Sequence, residues 1–382
     1  MENVCKYENC TGCSLCAAIC PKSCIKMQEG KLGHLFPVVD TASCIDCGLC
    51  AGACPANSPA GVLMPSAAYA AWARDSREYV SSTSGGAASV LSRHVLSQDG
   101  AVYGCAVCKG DSVAGKPFSV KHIRVTGTDG LQRLKGSKYV QSSIAEVLPE
   151  IREDVRSGRK VLFVGTPCQV AAVKAMFKTV PEGLYLVDLI CHGVPSLSML
   201  QKYVSGHLHI DPQTVSDVSF RGPEGFVMRI LGTDGSVLYG HEPLSGLRTE
   251  DLYYSLFMDG FTYRDSCYRC PYARTERVSD ITIGDFWGLG DDVPDHPHGV
   301  SLLLPVTRKG MEMLSAVKGD MDIYTRSVQE AVRGNDQLRS PRRKSLRIRL
   351  FRMLEPVFGP RVYYAIVADW IARKYFKRDK SR

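Results

Sequence analysis

The sequence lacks any apolar run that reaches the roughly 18 residues needed to cross a membrane. Its first residues, MENVCKYENCTGC, also lack the apolar stretch of a secretory signal peptide. These two absences predict a cytoplasmic protein that is soluble or peripheral to the inner face of the membrane. At 382 residues the chain is too long for a disulfide-stapled mini-protein, so we expect its 16 cysteines to serve metal or redox chemistry.

Positive charge is scarce outside the last part of the chain. The formal net charge is +8, yet residues 339–382 alone hold 14 Lys and Arg against 3 Asp and Glu. The residues before them carry a net charge of about −3, which argues against binding of nucleic acid by the body of the protein. The basic tail also holds Leu, Ile, Phe and Trp, and we expect it to form helices. They would either lie on an anionic membrane or pack on the protein's own core.

Cysteine is abundant and is arranged in an internal duplication. CTGCSLCAAICP at residues 10–21 and CIDCGLCAGACP at residues 44–55 share one C-x-x-C-x-x-C-x-x-x-C-P pattern. In such a pattern three thiolates bind one 4Fe-4S cluster and the fourth reaches the cluster of the other repeat. The predicted ligand sets are Cys10, Cys13, Cys16 and Cys54 for one cluster, and Cys44, Cys47, Cys50 and Cys20 for the other. The alternative is a pair of zinc sites, which rarely show this spacing twice.

Two further cysteines in this region fall outside the repeated pattern. They are Cys5 and Cys24, and we expect Cys24, in SCIKM, to be a buried strand residue because free cysteine packs as a small hydrophobe.

Strand-like and helix-like segments alternate after residue 65. KVLFVG and LYLVDLI have the pattern of buried strands, and each is followed by a segment with helical spacing, QVAAVKAMF and SLSMLQKYVSGHL. Residues 215–240 instead predict two or three antiparallel strands with a turn at TDGS. The expected domains are 1–65 of the ferredoxin type, a mixed α/β domain at 66–335, and a helical basic tail at 336–382.

A second C-x-x-C pair, Cys267 and Cys270, is only half of a four-ligand site. Cys168 and Cys191 each follow the carboxyl end of a predicted strand, so parallel strands would bring both thiols to one edge of the sheet. These four cysteines could hold a third 4Fe-4S cluster or a structural zinc ion, or they could be unrelated thiols. Cys168 also stands at a predicted helix N-terminus, where it could act as a nucleophile with His192 as its base.

Several segments together resemble the beta-subunit family of coenzyme F420 hydrogenases and dehydrogenases. They are STSGGAASVL, GSKYVQS, GTPCQVAAVK, CHGVPS and CYRCPYARTERVSDITIGDFWG. Many bacterial members carry an N-terminal two-cluster ferredoxin and occur with polysaccharide-assembly enzymes. The resemblance covers about residues 1–310. It implies FAD in the α/β domain and iron-sulfur clusters that relay electrons to or from it, and it therefore favours a third 4Fe-4S cluster at the four cysteines above. The expected fold is therefore a bacterial dicluster ferredoxin fold followed by a mixed α/β flavin-binding domain.

The flavin would be bound at two segments with small or basic residues. In SSTSGGAASVL, two glycines precede a helix, so the backbone could approach a phosphate group at the helix N-terminus, with Ser84 as the N-cap. In GSKYVQS, a lysine could place positive charge beside the reduced flavin. The predicted cofactor-binding residues are Ser82, Thr83, Ser84, Gly85, Gly86, Ser137 and Lys138. The alternatives are an ordinary capped helix and a solvated surface lysine.

The predicted function is that of an oxidoreductase that relays electrons between 4Fe-4S clusters and FAD, and then to or from an unidentified substrate. The alternatives are an electron-transfer subunit without its own catalysis and a thiol enzyme that uses Cys168 and His192. A redox partner protein or a small electron carrier is the expected partner. The roles of Cys105 and Cys108, a redox pair or alternative ligands, stay open, and Asp285 and Trp287 could approach the flavin or serve only as turn and core residues.

Overall fold

The structure is a computed structural model that describes residues 2–221, 226–241 and 251–367. The strands in these ranges are β1 (Ile25–Glu29), β2 (Leu35–Val39), β3 (Ala68–Ala73), β4 (Ala101–Cys108), β5 (Ser119–Val125), β6 (Val161–Gly165), β7 (Leu184–Leu189), β8 (Val215–Ser219), β9 (Met228–Gly232), β10 (Val237–His241), β11 (Ile281–Asp285), β12 (Ser301–Pro305) and β13 (Met321–Arg326). The helices are α1 (Leu15–Ala18), α2 (Leu49–Gly52), α3 (Ser76–Val80), α4 (Ala87–Leu96), α5 (Val147–Arg156), α6 (Pro167–Lys174), α7 (Leu197–Lys202), α8 (Leu252–Met258), α9 (Arg308–Ala316), α10 (Val328–Gly334) and α11 (Leu346–Phe358). No helix in these ranges is long and apolar enough to span a membrane.

The N-terminal unit repeats one pattern of short elements. Each cysteine repeat contains a single turn of helix, α1 or α2, and the antiparallel hairpin of β1 and β2 lies between the repeats. Both helices begin after a residue in the left-handed region, Ser14 and Gly48. The duplication seen in the sequence is therefore also a duplication of local structure.

An eight-stranded mixed sheet forms the centre of the body. Its strand order is β13-β3-β12-β11-β7-β6-β4-β5, and the four strands β11, β7, β6 and β4 are parallel to one another. The strands β6 and β7 are almost continuous apolar runs because both faces of the sheet are covered. Helices α4 and α9 cover one face and α5 and α6 the other. The alternation expected from the sequence is confirmed.

The sequence predicts two or three strands at residues 215–240; three form there, in a separate antiparallel sheet with the order β10-β9-β8. The turn between β9 and β10 contains Gly235 at φ +84°, a backbone conformation that side-chain-bearing residues rarely adopt.

The N-terminal unit packs directly on the body. Backbone hydrogen bonds join Leu63 and Arg277 in both directions, and the Gln141 amide donates to the Thr11 carbonyl oxygen at 2.8 Å. The ring of His34 is buried against the Val194 carbonyl oxygen at 3.1 Å. The two units therefore share polar contacts along their boundary.

The first part of the basic tail belongs to the core. Ile348 and Phe351 on α11 are buried with Tyr363 in an apolar cluster that also contains residues of α8 and β8. Arg352 donates to the Tyr263 carbonyl oxygen at 2.7 Å and to the Asp265 carboxylate at 2.9 Å. The expectation that the tail packs on the protein's own core is thus met for the inner face of α11.

Replacement of Phe351 by Ala should lower the free energy of unfolding by about 3–5 kcal/mol, because it leaves a cavity in a fully buried site. The matched control on the same helix is Met353→Ala, at a side chain that is 66% exposed. Its effect should stay within about 0.5 kcal/mol. Chemical denaturation of the anaerobically prepared protein measures both values, and equal effects would contradict the packing of α11 described above.

Candidate functional site

The cysteines of the N-terminal repeats form two groups, and each group lines a small cavity. The cysteines of the duplicated pattern at the first cavity are Cys10, Cys13, Cys16 and Cys54. Those at the second are Cys20, Cys44, Cys47 and Cys50. A turn of helix separates the third and fourth cysteine of each repeat and carries the fourth towards the other repeat. The structure thus brings together the two sets of four that the spacing predicts.

Two thiols of the first group lie in surroundings that disfavour their thiolate form. Burial raises the pKa of the Cys13 thiol to about 12, and burial together with neighbouring thiols raises the pKa of Cys16 to about 12. Thiolates at these positions would need positive charge between them, which the irons of a 4Fe-4S cluster supply. In the described part of the chain, no three His, Cys, Asp or Glu side chains have the geometry to hold a metal ion. A 4Fe-4S cluster distributes its four thiolates over four irons and does not require that geometry.

Each group has a fifth cysteine that the spacing argument left without a role. Cys24 Sγ lies 3.3 Å from Cys20 Sγ, and Cys5 lines the first cavity beside Cys10 and Cys54. Cys24 is buried as expected, but it immediately precedes β1 and faces the second group rather than an apolar core alone. A motif search cannot find these residues because they follow no repeated spacing.

Three separate segments contribute a third set of thiols. Cys168 lies in the first turn of α6, Cys191 follows β7, and Cys267 lies in a 3-10 helix at Asp265–Arg269 that is followed by Cys270. Burial, followed by the charges of Cys270 and Cys168, raises the pKa of Cys267 to about 12. Burial and the thiols of Cys267 and Cys168 also raise the pKa of Cys191. Each of the four thiols therefore interacts electrostatically with at least one other of the set.

The environment of Cys168 is unlike that of an activated nucleophile. Burial raises the pKa of its thiol to about 11, and Cys270 adds to this effect. Its Sγ lies 3.2 Å from the Thr166 hydroxyl, and Thr166 forms a capping box with Gln169 at the start of α6. Catalytic thiols have lowered pKa values, so this geometry favours a ligand or a structural thiol over a nucleophile.

A buried arginine lies between the first group and the third set. Arg264 is 1% exposed, and it donates to the Cys10 carbonyl oxygen at 2.6 Å and to Cys10 Sγ at 3.4 Å. Its guanidinium stacks on the Phe36 ring at 4.2 Å. The positive charge also lowers the pKa values of Cys168 and Cys267, against the larger effect of burial. One side chain therefore acts electrostatically on both sets of thiols.

A cavity of about 330 Å³ opens at the carboxyl edge of the four parallel strands. Residues at the ends of β6, β7 and β11 line it, as do residues within β4 and the segment before α4. The volume falls within the roughly 300–1,000 Å³ of small-molecule sites. Of the predicted flavin-binding residues, the lining includes Ser82, Thr83, Ser84, Gly86, Ser137 and Lys138. Cys191 and His192 also line this cavity, so the third set of thiols borders it.

The predicted cap of α4 is wrong. Ser84 donates its hydroxyl to the Val300 carbonyl oxygen at 2.9 Å, and the N-cap is Gly86, at φ +81°. A Cβ atom on Gly85 would lie 2.5 Å from the Ala71 carbonyl oxygen, so close packing against β3 requires glycine there. The two glycines therefore have different tasks, since Gly86 lines the cavity and Gly85 lets the segment approach the sheet.

Lys138 is a half-buried cation at the cavity wall. Its ammonium donates to the Lys135 carbonyl oxygen at 2.5 Å and to the Leu134 carbonyl oxygen at 3.3 Å, and burial lowers its pKa. It is not the solvated surface lysine of the alternative interpretation. These carbonyl groups end a 3-10 helix, so the loop itself holds the cation in place.

The structure separates Cys105 from Cys108. Both lie on β4, three residues apart, and side chains at that spacing point to opposite faces of a strand. Cys105 lines the cavity near Lys138, and burial raises the pKa of its thiol. The interpretation of the two as a redox pair is therefore wrong, because thiols on opposite faces of a sheet cannot form a disulfide.

An ion pair at the far wall was missed by the sequence analysis. Arg221 Nη1 lies 2.5 Å from the Asp285 carboxylate, and both residues line the cavity. Arg221 Nε is buried and has no hydrogen-bond partner among the described residues, which leaves a donor for a bound anion or carbonyl group. Trp287 is 45% exposed and lines the cavity, so it is not a packed core residue.

Comparisons with known proteins agree with these two units. Residues 9–58 match the model of a 4Fe-4S dicluster domain. Residues 158–331 match the model for the C terminus of the beta subunit of coenzyme F420 hydrogenase/dehydrogenase. A search of curated proteins gives no match. Among solved structures, a chain of the F420-reducing NiFe hydrogenase complex from Methanosarcina barkeri, in a xenon-derivatization study, is similar at 20% identity with a TM-score of 0.47. The similarity covers 72% of this chain and 91% of that chain.

Replacement of Arg264 by Met should lower the free energy of unfolding by about 3 kcal/mol or more, because buried acceptors including the Cys10 and Leu35 carbonyl oxygens lose their donor. The control is Arg269→Met, since Arg269 is 56% exposed and lies 3.9 Å from Glu8. It should change stability by less than about 1 kcal/mol. Anaerobic denaturation measures both, and a similar loss in the two variants would show that Arg264 has no special structural task.

Proposed function

Since residues 158–331 match the model of the coenzyme F420 hydrogenase/dehydrogenase beta-subunit family and residues 9–58 that of a 4Fe-4S dicluster domain, we propose that the chain is an iron-sulfur flavoprotein oxidoreductase. The relation to a hydrogenase and dehydrogenase subunit and the iron-sulfur domain support the electron-transfer part of this function. The FAD, the third 4Fe-4S cluster and the exchange of an electron pair with a substrate are the further steps that we propose. When bound, the clusters would carry single electrons and FAD would combine them into pairs.

The observation that carries the proposal is the position of Cys191. This residue belongs to the third set of thiols and also lines the cavity beside Ser137 and Lys138. A cluster held by Cys168, Cys191, Cys267 and Cys270 would therefore border whatever the cavity binds. Adjacent redox groups are what an electron relay requires.

The cysteine groups differ in solvent exposure, and this difference indicates which group lies at the surface end of the proposed relay and which lies at the cavity end. Cys47 of the second group is exposed, and it is flanked by Ile45 and Leu49, which are 58% and 54% exposed. Cys10 of the first group is buried, and Arg264 connects it to the third set. We therefore assign the second group to the surface that a redox partner approaches, and the third set to the end at the cavity.

Small and basic side chains of the cavity suit the phosphate groups and the reduced ring of FAD. Ser82, Thr83 and Gly86 form a wall of small residues at the start of α4 that leaves room for a phosphate group near the helix amides. On another part of the wall, the half-buried Lys138 ammonium would stabilise negative charge on a reduced flavin ring. The unpartnered Nε of Arg221 could donate to an oxygen of the same ligand.

A test of the third cluster counts irons. The anaerobically purified protein should contain about twelve irons and twelve acid-labile sulfides per chain, because three clusters of four are expected from the ligand sets. Cys267→Ser should lower both by about four and leave the clusters of the N-terminal unit in place. The control is Cys108→Ser, whose thiol lies on the face of β4 opposite to Cys105. It should not change the iron content.

Eight irons in the wild-type protein, or one zinc that Cys267→Ser removes, would instead make the third set a zinc site or a group of free thiols.

A test of the flavin site replaces Lys138 by Met. The variant should retain FAD less tightly, by a factor of about ten or more, because a buried charge-assisted contact of roughly 1.5–3 kcal/mol is lost. The matched control is Lys109→Met, at an exposed lysine just after β4, which should bind FAD like the wild type. Flavin fluorescence after release, together with equilibrium titration of FAD into the flavin-free protein, measures the difference.

Absence of flavin from the wild-type protein, with no binding on titration, would refute the flavin site. Reoxidation of the dithionite-reduced protein by small molecules would then separate an enzyme from an electron-transfer subunit that turns over only within a complex.

A further inference from the structure

Helix α11 has two apolar faces, and only one of them is used by the core. Ile348 and Phe351 point inwards and are buried. The opposite face carries Leu346, Leu350, Met353 and Val357, which are 80%, 42%, 66% and 75% exposed. We call these four residues the outer stripe.

The spacing of the outer stripe makes it continuous. Its residues follow one another at intervals of four, three and four, so at about 100° per residue they lie within an arc of roughly 60° on one side of the helix. At about 1.5 Å per residue the stripe is roughly 16 Å long. Four large exposed apolar side chains in one line form a patch rather than the scattered exposure of an ordinary surface.

Basic residues border the outer stripe. Arg347 and Arg349 are exposed and lie on either side of it along the helix, and Arg343 is exposed just before the helix begins. Arg352 is different, because it turns inwards to Asp265 and to the Tyr263 carbonyl oxygen. The inner contacts thus fix the orientation of α11 on the body, and the outer stripe with its arginines is held facing away from it.

The positive charge around α11 indicates whether the outer stripe binds an anionic surface or a second copy of the chain. Residues 339–382 hold 14 Lys and Arg against 3 Asp and Glu. Residues 368–382, which lie outside the described ranges, hold six of the basic residues and two of the acidic ones, so they share the sign of the helix. A second copy of the chain would bring the same positive charge. The complementary surface is therefore anionic and able to accept apolar side chains.

We propose that α11 docks the protein on an anionic lipid bilayer, with the outer stripe inserted among the lipids and the arginines at the phosphate groups. An amphipathic helix with a basic polar border binds in this way, parallel to the membrane surface. Insertion of the stripe adds the hydrophobic free energy, and the arginines make the binding depend on anionic lipid and on salt. The binding needs no transmembrane helix and leaves the inner contacts of α11 in place.

The test is flotation of the full-length, cluster-containing protein with vesicles of phosphatidylcholine alone and of phosphatidylcholine with an equal amount of phosphatidylglycerol. The wild type should bind the anionic vesicles and release at high salt. Leu350→Gln combined with Met353→Gln should weaken binding at least tenfold. Arg343→Gln combined with Arg349→Gln should weaken binding to anionic vesicles and reduce its salt dependence. Val113→Gln, at an apolar side chain that is 99% exposed elsewhere, is the control and should bind like the wild type.

Point variants are required, since deletion of the tail from residue 340 would also remove Ile348 and Phe351 from the core. The proposal fails if the wild type does not bind anionic vesicles or binds both kinds of vesicle equally. It also fails if the variant with Leu350→Gln and Met353→Gln binds anionic vesicles as tightly as the wild type. It also fails if the wild type is a dimer that the two glutamines convert to a monomer, because the stripe would then be a protein interface. Iron content and the unfolding transition, measured in parallel, should match the wild type in every variant.

Discussion

One buried guanidinium links the two halves of this molecule. Arg264 lies in the body, yet its donors reach the carbonyl oxygens of Cys10 and Leu35 in the N-terminal unit, and its planar face covers Phe36. Burying a cation costs free energy unless dipoles replace the lost water, and these carbonyl groups supply them. The positive charge is therefore held between the first group of thiols and the third set, where negatively charged thiolates need it.

The direction of the parallel strands determines where the chemistry can occur. Because β6, β7 and β11 run the same way, Thr166, Cys191 and Asp285 emerge at one edge of the sheet. That edge forms both the wall of the cavity and the platform of the third set of thiols. The N-terminal unit packs beside the same edge through Gln141 and Arg264. Strand direction together with one interface thus places the thiol groups beside the cavity, as the proposed relay requires.

Two apolar surfaces of the molecule are exposed to solvent. Cys47 is exposed among apolar neighbours at one place, and the outer stripe of α11 is exposed at another. The outer stripe belongs to a helix whose inner face packs on the core, and Cys47 belongs to the second cysteine repeat of the N-terminal unit. The contact of α11 with Asp265, two residues before Cys267, places the proposed membrane helix beside the third set of thiols.

Features that depend on spacing along the chain were predictable from the residues alone. The duplicated cysteine pattern predicted the two groups of four, because the short spacing keeps three cysteines of each repeat together and one helical turn carries the fourth towards the other repeat. Apolar runs identified the central strands, and the turn at Gly235 followed from its residue types. Short motifs also predicted the resemblance to the beta-subunit family and the dicluster domain, and residues 158–331 and 9–58 match the models of these two.

Contacts between distant segments could be known only from the folded chain. The pairing of Arg221 with Asp285 has no local signal, because it joins residues 64 positions apart. Cys5 and Cys24 lie near their groups in the chain, yet they follow no repeated spacing that would assign them to a group. The different roles of Gly85, which packs against β3, and Gly86, which lines the cavity, also could not be read from a Gly-Gly sequence. Local spacing specifies which residues can be neighbours within a turn, whereas charge, burial and close approach across the molecule are set only when the chain has folded.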